Sequence, residues 1–149
     1  MIYIILISIL IILDQVSKQM IVNRFYLGET FPIVEEFFHL TYVRNRGVAF
    51  GLFQDKVQII SVFTILAVIG IAIYSLKYLK KSDKIEKVAY TFIFSGAIGN
   101  MLDRLFRGYV VDMVDFRGIW IYIFNLADVW INVGLFLIII DYFIRRNKE

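Results

Sequence analysis

The sequence contains no cysteine and a single histidine, His39, among its 149 residues. The absence of cysteine excludes disulfide bonds, thiol nucleophiles and cysteine-ligated metals. One histidine cannot form a histidine-rich metal site, and a serine–histidine triad is open to this chain only with His39 as its base. Cysteine chemistry and histidine-rich metal sites are therefore excluded, and a serine–histidine triad depends on His39 alone.

Charge is also scarce, since charged residues make up 19% of the chain and hydrophobic residues 60%, with a mean hydropathy of +0.73. A typical soluble domain is about 45–50% apolar and about 25% charged. This composition does not favour a water-soluble globule, and it excludes a disordered chain. With Gly 9 and Pro 1, the chain is neither collagen-like nor of low complexity. The composition predicts a membrane protein.

Four stretches are long and apolar enough to be predicted as membrane spans, at about 1–22, 57–76, 85–106 and 124–144. A helix rises about 1.5 Å per residue, so twenty residues cross a hydrocarbon layer of roughly 30 Å. The last two stretches contain Asn and Asp, so hydropathy alone would rank them lower. The first lacks a basic leader and a small-residue cleavage site, so we interpret it as a retained helix. The predicted fold is an all-α integral membrane protein with four transmembrane helices, in a single membrane domain over 1–149.

The densest basic clusters lie in the loop at about 77–87 and in the tail at 145–149. The positive-inside rule places both in the cytoplasm, together with the two termini. The segments at about 23–56 and 107–123 then lie outside. The first contains strand-forming residues at 37–43, which predict a small extracytoplasmic β region, or cradle, between spans one and two. A short amphipathic turn is predicted at 52–58.

Ionisable residues inside membrane spans are costly and are functional candidates by default. Here they are Asp14, Lys18, Asp103, Arg104, Asp128 and Asp141. All except Asp141 fall toward the predicted outer ends of their helices, and Asp112 lies just beyond span three. We therefore expect these groups to converge at one depth on the extracytoplasmic side.

Helical spacing groups several of these residues. Asp14 and Lys18 are four residues apart and can form an ion pair, which would serve structure or chemistry. Two stripes of small and polar residues predict close helix packing or an interhelical hydrogen-bond network. The stripes are Gly96, Gly99, Asn100 and Asp103 on span three, and Asn125, Asp128 and Asn132 on span four.

Aspartates at one depth also permit acid–base chemistry. In a carboxylate pair, the ionised member can activate water while the protonated member donates a proton to the leaving group. Asp112 and Asp115 lie where alternation of residue types predicts an extended segment beside the membrane. This chemistry requires neither metal, cysteine nor histidine.

Five motifs in order make the sequence resemble the lipoprotein signal peptidases, the bacterial signal peptidase II family. They are DQVSK at 14–18, NRGVAF at 45–50, GNMLDR at 99–104, GYVVD at 108–112 and FNLAD at 124–128. The resemblance covers essentially the whole chain. Val48 and Met113 depart from the usual pattern, and the nine-residue step from Asp103 favours Asp112 over Asp115 as the motif aspartate.

The resemblance implies a metal-free and cofactor-free aspartic endopeptidase of the bacterial cytoplasmic membrane, with four helices. Its implied substrate is a diacylglyceryl-modified prolipoprotein within membrane lipid, cut before the lipidated cysteine, and nucleic acid is not a partner. It implies that Asp112 and Asp128 are the catalytic pair. Asn45, Asn100 and Arg104 would hold the substrate backbone. The site would be shaped by Asp14, Lys18, Asp103 and Asn125.

Three other hypotheses compete with this one. A serine–lysine peptidase would use Lys18 with Ser95, because Ser17 points about 100° away from its neighbour on a helix. A small ion or proton transporter would need carboxylates through the full membrane depth. A purely structural membrane subunit leaves the ordered motifs unexplained.

Overall fold

The structure is a computed structural model, and it describes residues 1–47, 56–78 and 82–146. Three features of the sequence analysis lie outside the described residues: the VAF part of the NRGVAF motif, the basic residues at 80, 81 and 148, and most of the predicted interfacial turn at 52–58. The rest of the chain carries the fold and the predicted site.

The described residues form four long helices that run alternately up and down. They are α1 (Ile2–Arg24), α2 (Val57–Tyr78), α3 (Lys84–Arg107) and α4 (Leu126–Arg146). The four predicted spans coincide with these helices to within two residues at each end. The limits of α3 are set by local chemistry: the Asp83 carboxylate accepts a hydrogen bond from the Glu86 N–H at 3.1 Å, and Gly108 ends the helix in the left-handed conformation at φ 75°.

Three of the helices in the described part of the chain, α1, α2 and α4, are long and apolar enough to cross a membrane. The third helix is equally long but carries the polar stripe predicted from the sequence. It packs against each of the other three helices, and its Ser95, Asn100 and Asp103 side chains are buried there. The low apolarity of α3 therefore reflects its central position in the bundle.

Small residues let α3 approach both α4 and α1 closely, as the stripe on span three predicts. A Cβ atom added at Gly96 would collide with the carbonyl oxygen of Ala127, and one at Gly99 would lie 2.5 Å from Oδ2 of Asp14. On α4, a Cβ atom at Gly134 would lie 2.6 Å from the carbonyl oxygen of Ala89. Only glycine permits contacts this close at these three positions.

A three-stranded antiparallel sheet packs against one end of the bundle. Its strands are β1 (Thr30–Val34), β2 (Phe38–Asn45) and β3 (Val110–Phe116), in the order β1-β2-β3. The sequence analysis placed the β region only between the first two helices. This prediction is corrected here, because the third strand, β3, comes from the segment between α3 and α4. Both edges of β2 are thereby paired, while Pro32 lies in β1 at the edge of the sheet, where a missing N–H is tolerated.

One face of the sheet rests on the end of α1. Tyr42, Val111 and Met113 from the sheet form a buried cluster with Ile21 of α1, and Phe25 packs against it. This hydrophobic contact fixes the sheet over the C-terminal end of α1. We call this end of the molecule the sheet end, and the opposite end, where α4 finishes, the tail end.

The close approach at Gly96 predicts a specific loss of stability. Gly96→Ala should lower the free energy of unfolding by about 1–3 kcal/mol, because the new methyl group would push α3 away from α4. Thermal unfolding in detergent would measure this. Gly70→Ala is the matched control: its Cβ meets nothing within 4 Å, so helix propensity alone predicts a gain of up to about 1 kcal/mol. Equal unfolding temperatures for the two variants would contradict the packing argument.

Candidate functional site

Polar side chains from α1, α3, α4, β2 and β3 meet at the sheet end. Its centre is the ammonium group of Lys18, which is completely buried. Lys18 Nζ lies 2.9 Å from Oδ2 of Asp14, 3.1 Å from Oδ2 of Asp103 and 3.1 Å from Oδ1 of Asn100. An ammonium group has three N–H donors, and three oxygen acceptors surround it here. The Asp14–Lys18 pair expected from helical spacing is therefore part of a larger network.

The two carboxylates beside Lys18 also hold the starts of two other elements. Asp103 Oδ2 accepts the N–H of Val111 at 3.0 Å, which ties the beginning of β3 to α3. Asp14 Oδ1 accepts the N–H of Ala127 at 2.9 Å, which ties the first turn of α4 to α1. A carboxylate near the free N–H groups of a helix start is favourably placed. Both aspartates thus have positioning roles.

Asn100 relays this network to α4. Its Oδ1 accepts from Lys18, so its Nδ2 is directed the other way and donates to Oδ1 of Asp128 at 2.8 Å. The lysine thereby determines the orientation of the amide. Asn100 and Asp128 come from the two predicted stripes, and the structure brings them into direct contact.

Asn125 and Asp128 form a reciprocal cap at the start of α4. The N–H of Asn125 donates to Oδ2 of Asp128 at 3.2 Å, and the N–H of Asp128 donates to Oδ1 of Asn125 at 3.1 Å. The arrangement is a capping box, in which two side chains three residues apart satisfy free helix N–H groups. With its oxygen occupied, Asn125 presents Nδ2 to Oδ1 of Asp112, at 2.6 Å.

Asp112 lies on β3 and is 2% exposed. Asn45 on β2 donates to its Oδ2 at 2.9 Å, so each carboxylate oxygen accepts from one asparagine. Burial, and next the neighbouring Asp128 carboxylate, raise the pKa of Asp112 from 3.8 to about 7. The strand register shows a β-bulge here, with Thr41 and Tyr42 opposite the single residue Met113. Bulges of this kind redirect side chains beside functional sites.

Asp115 lies apart from Asp112. The two residues are three positions apart on one strand, so their side chains point to opposite faces of the sheet. Its Oδ2 accepts from Thr41 Oγ1 at 2.8 Å and from Arg117 Nε at 3.4 Å. The alternative register, with Asp115 in the role of Asp112, therefore lacks the contacts to Asn45 and Asn125.

Two further polar residues are also separate from the network. Asn132 is exposed and donates to the carbonyl of Asp128 within its own helix, at 2.8 Å. The predicted stripe on span four thus loses one member, because Asn125 precedes the helix and the seven-residue spacing does not apply. Asp141 lies at the tail end, where Arg145 Nε donates to its Oδ2 at 2.7 Å.

Arg104 borders the network. Its guanidinium group donates to the carbonyl of Gly47 at 3.1 Å and to that of Asn100 at 3.4 Å. Arg104 and Asn100 also line a cavity of about 500 Å³. Its remaining wall is largely apolar and comes from α2, α3 and α4, with Ile59, Phe63 and Ile131 among the lining residues. The cavity therefore has an apolar wall on one side and the polar network on the other.

The sequence analysis missed two residues of this network. Gln15 donates to Oδ2 of Asp14 and to the carbonyl of Gly99, and Arg107 donates to Oδ1 of Asp103 at 3.1 Å. The signal for Arg107 was available, since it follows Asp103 by four residues on one helix. Gln15 gave no comparable signal, because its partners depend on how α1 packs against α3.

The geometry does not favour a serine–lysine pair. Ser95 Oγ donates to the carbonyl of Thr91 at 2.7 Å, and Ser17 Oγ donates to that of Asp14 at 2.7 Å. Within the described residues, the one group of carboxylates close enough to hold a cation is Asp83, Glu86 and Asp141 at the tail end. Arg145 already makes ion pairs with all three.

Together these contacts join two carboxylates, Asp112 and Asp128, through one asparagine. Three amides bind them, and a raised pKa lets Asp112 hold a proton near neutral pH. Such a pair can supply an acid and a base at the same moment.

Comparison with known proteins gives a consistent result. A family model described as signal peptidase (SPase) II matches residues 6–144. The lipoprotein signal peptidase of Fusobacterium nucleatum is 58% identical over 150 residues, covering 100% of this chain and 91% of its own. That of Clostridioides difficile is 44% identical over 151 residues, covering 100% and 99%. A solved structure described as a bacterial membrane enzyme superposes with a TM-score of 0.91 at 31% identity, covering 99% of this chain and 90% of that chain.

The buried ammonium group predicts a large loss of stability for Lys18→Met. Two buried carboxylates would lose their shared cation, which costs about 3–5 kcal/mol, and thermal unfolding in detergent would detect this. Arg145→Met is the control: the Arg145 side chain is 52% exposed, so water can solvate the carboxylates that it leaves, and the loss of stability should be smaller than for Lys18→Met. An unchanged unfolding temperature for Lys18→Met would show that the network does not stabilise the fold.

Proposed function

Since the chain belongs to the signal peptidase II family, we propose that it removes signal peptides from prolipoproteins in a bacterial cytoplasmic membrane. The bond that it hydrolyses precedes the diacylglyceryl-modified cysteine of the substrate, as the five motifs imply. The catalytic class is that of an aspartic endopeptidase. The observation that carries this proposal is the direct bridge from Asn125 to both Asp112 and Asp128.

The cavity beside Arg104 supports a lipid-borne substrate. Apolar side chains of α2, α3 and α4 line most of it, and Asn100 and Arg104 provide its polar wall. An apolar signal helix arriving sideways through lipid would contact the apolar wall, and the peptide bond to be cut would meet the polar one. In this proposal, Asn45, Asn100 and Arg104 bind backbone carbonyl and N–H groups of the substrate.

The two aspartates divide the chemistry. The ionised member takes a proton from a water molecule, whose oxygen attacks the scissile carbonyl carbon. The protonated member donates its proton to the departing amine as the C–N bond breaks. Arg104 or Asn100 stabilises the negative charge on the carbonyl oxygen. The two carboxyl groups titrate as a coupled pair, so the proton present before the reaction is assigned to the pair and not to one aspartate.

All four helices span the membrane in this proposal, and the sheet end faces outward. The third helix packs against three apolar helices within an up-and-down bundle of four, and this supports its crossing the membrane with them. Arg145 and Arg146 at the end of α4 and Lys84 and Lys87 at the start of α3 support a cytoplasmic tail end.

A transporter has weaker support. Conduction of ions or protons needs carboxylates through the full depth of the membrane. In the described residues, the linked carboxylates gather at the sheet end, while Asp141 is paired with Arg145 at the tail end. No continuous series of acidic groups connects the two ends within this part of the chain.

Amide substitution of either proposed catalytic aspartate should abolish cleavage. Asp112→Asn and Asp128→Asn keep the shape of the side chain but remove its ability to ionise, so we expect activity to fall by at least about 10²-fold. The assay uses purified protein in detergent, a diacylglyceryl-modified prolipoprotein, and a chelator throughout. Asp115→Asn is the matched control and should cleave normally. Full activity in either catalytic variant would refute its assigned role.

The raised pKa of Asp112 predicts the direction of the pH dependence. As pH rises through about 7, the pair loses the proton that protonates the leaving amine, so kcat/KM should fall above this pH. Asn45→Ala removes a hydrogen bond that favours the ionised carboxylate, and the fall should then move to higher pH. A rate that climbs steadily between pH 7 and 9 would contradict an acid role for this pair.

A further inference from the structure

The connection between β3 and α4 exposes four consecutive apolar or aromatic residues. Ile119, Trp120, Ile121 and Tyr122 are 72%, 49%, 86% and 37% exposed, and we call them the 119–122 loop. No charged residue occurs between Arg117 and Asp128. A run of four exposed apolar residues is unfavourable in water and needs a functional reason. The loop contributes no residue to the polar network around Lys18 described above or to the lining of the cavity beside Arg104.

The loop has a defined shape. The N–H of Trp120 donates to the carbonyl of Phe116 at 3.1 Å, and Gly118 adopts a positive φ of 78° that allows the turn. The Trp120 and Tyr122 rings meet edge to face at 6.0 Å. Phe124 then pairs with Val114, which returns the chain to β3 before α4 begins. The apolar side chains are therefore held outward by local hydrogen bonds.

The length of the connection keeps the loop close to the membrane. Tyr122 precedes Leu126, the first residue of the apolar helix α4, by four positions, so at most about 14 Å of chain separates them. At the same end of the bundle, Tyr26 and Leu27 are exposed just beyond the last residue of α1. At the sheet end, exposed aromatic and aliphatic residues therefore lie just after α1 and just before α4.

We propose that the 119–122 loop inserts into the boundary between lipid headgroups and acyl chains, as a membrane contact separate from the helices. Trp and Tyr favour this boundary because their rings are amphipathic, and the two isoleucines supply apolar surface for the acyl region. The partner is the bilayer itself. Because β3 carries Asp112 and leads directly into the loop, the contact also holds that strand at a fixed depth.

Fluorescence of Trp120 tests the insertion without any reference to cleavage. The chain has two tryptophans, so Trp130→Phe leaves Trp120 as the sole tryptophan, which is excited selectively over the tyrosines. The full-length variant is reconstituted in phosphatidylcholine–phosphatidylglycerol vesicles with bromine placed either near the headgroups or near the chain ends. We expect strong loss of emission with shallow bromine, less with deep bromine, and weak quenching by acrylamide added to both sides of the vesicles.

Two outcomes in this Trp130→Phe protein would overturn the proposal. Emission that ignores brominated lipid and is quenched by acrylamide would place the loop in water. Protection from acrylamide that disappears as protein is diluted into excess lipid would assign the loop to contact with a second copy. Since only the position of Trp120 is measured, these results do not depend on whether the chain is a peptidase.

A charged pair of substitutions provides the matched comparison. Ile119→Asp with Ile121→Asp should shift Trp120 emission to longer wavelength and abolish quenching by shallow bromine. Phe31→Asp with Ile33→Asp adds the same charge to exposed positions of the edge strand β1, and it should leave both readings unchanged. Equal loss in both double variants would show that added charge displaces the whole sheet, and would contradict a local anchor in the loop.

Discussion

The site depends on one buried ammonium group. Lys18 must satisfy three N–H donors away from water, and the three oxygens around it belong to Asp14, Asp103 and Asn100. Each of these acceptors has a second contact: with the first turn of α4, with the start of β3, and with Asp128, respectively. A charge that is expensive to bury thus fixes the relative positions of four elements, and with them both proposed catalytic carboxylates.

The asparagines keep the carboxylates of Asp112 and Asp128 out of direct contact with the nearby Lys18 cation. Asn45, Asn100 and Asn125 each donate an amide N–H to Asp112 or Asp128, and a neutral donor orients a carboxylate without cancelling its charge. A lysine or arginine in direct contact would favour the ionised form. The structure instead separates Lys18 from Asp128 by Asn100, and Arg104 donates to backbone carbonyls. Burial, and next the Asp128 carboxylate, can therefore raise the pKa of Asp112 to about 7.

Sequence reasoning succeeded wherever the interaction is local. Three helices follow from apolar run length, α3 follows from the less apolar run that carries the polar stripe, and the Asp14–Lys18 pair follows from four-residue spacing on one helix. It failed where the chain leaves regular structure or pairs across long separations. Asn132 shares a seven-residue step with Asn125, yet Asn125 caps the helix and Asn132 bonds within it. The joining of β3 to β2 connects segments about 70 residues apart, and no periodicity in either segment specifies that pairing.

The sequence by itself determined that this chain is a membrane protein, where its helices lie, and which ordered motifs it shares with the signal peptidase II family. Composition and periodicity suffice for this, because burial in lipid and helix geometry act on neighbouring residues. Only the tertiary structure decided which oxygens surround Lys18, that Asn125 contacts both Asp112 and Asp128, and that Asp115 lies apart from them. Those contacts arise where five elements meet, and their geometry depends on packing that no single segment encodes.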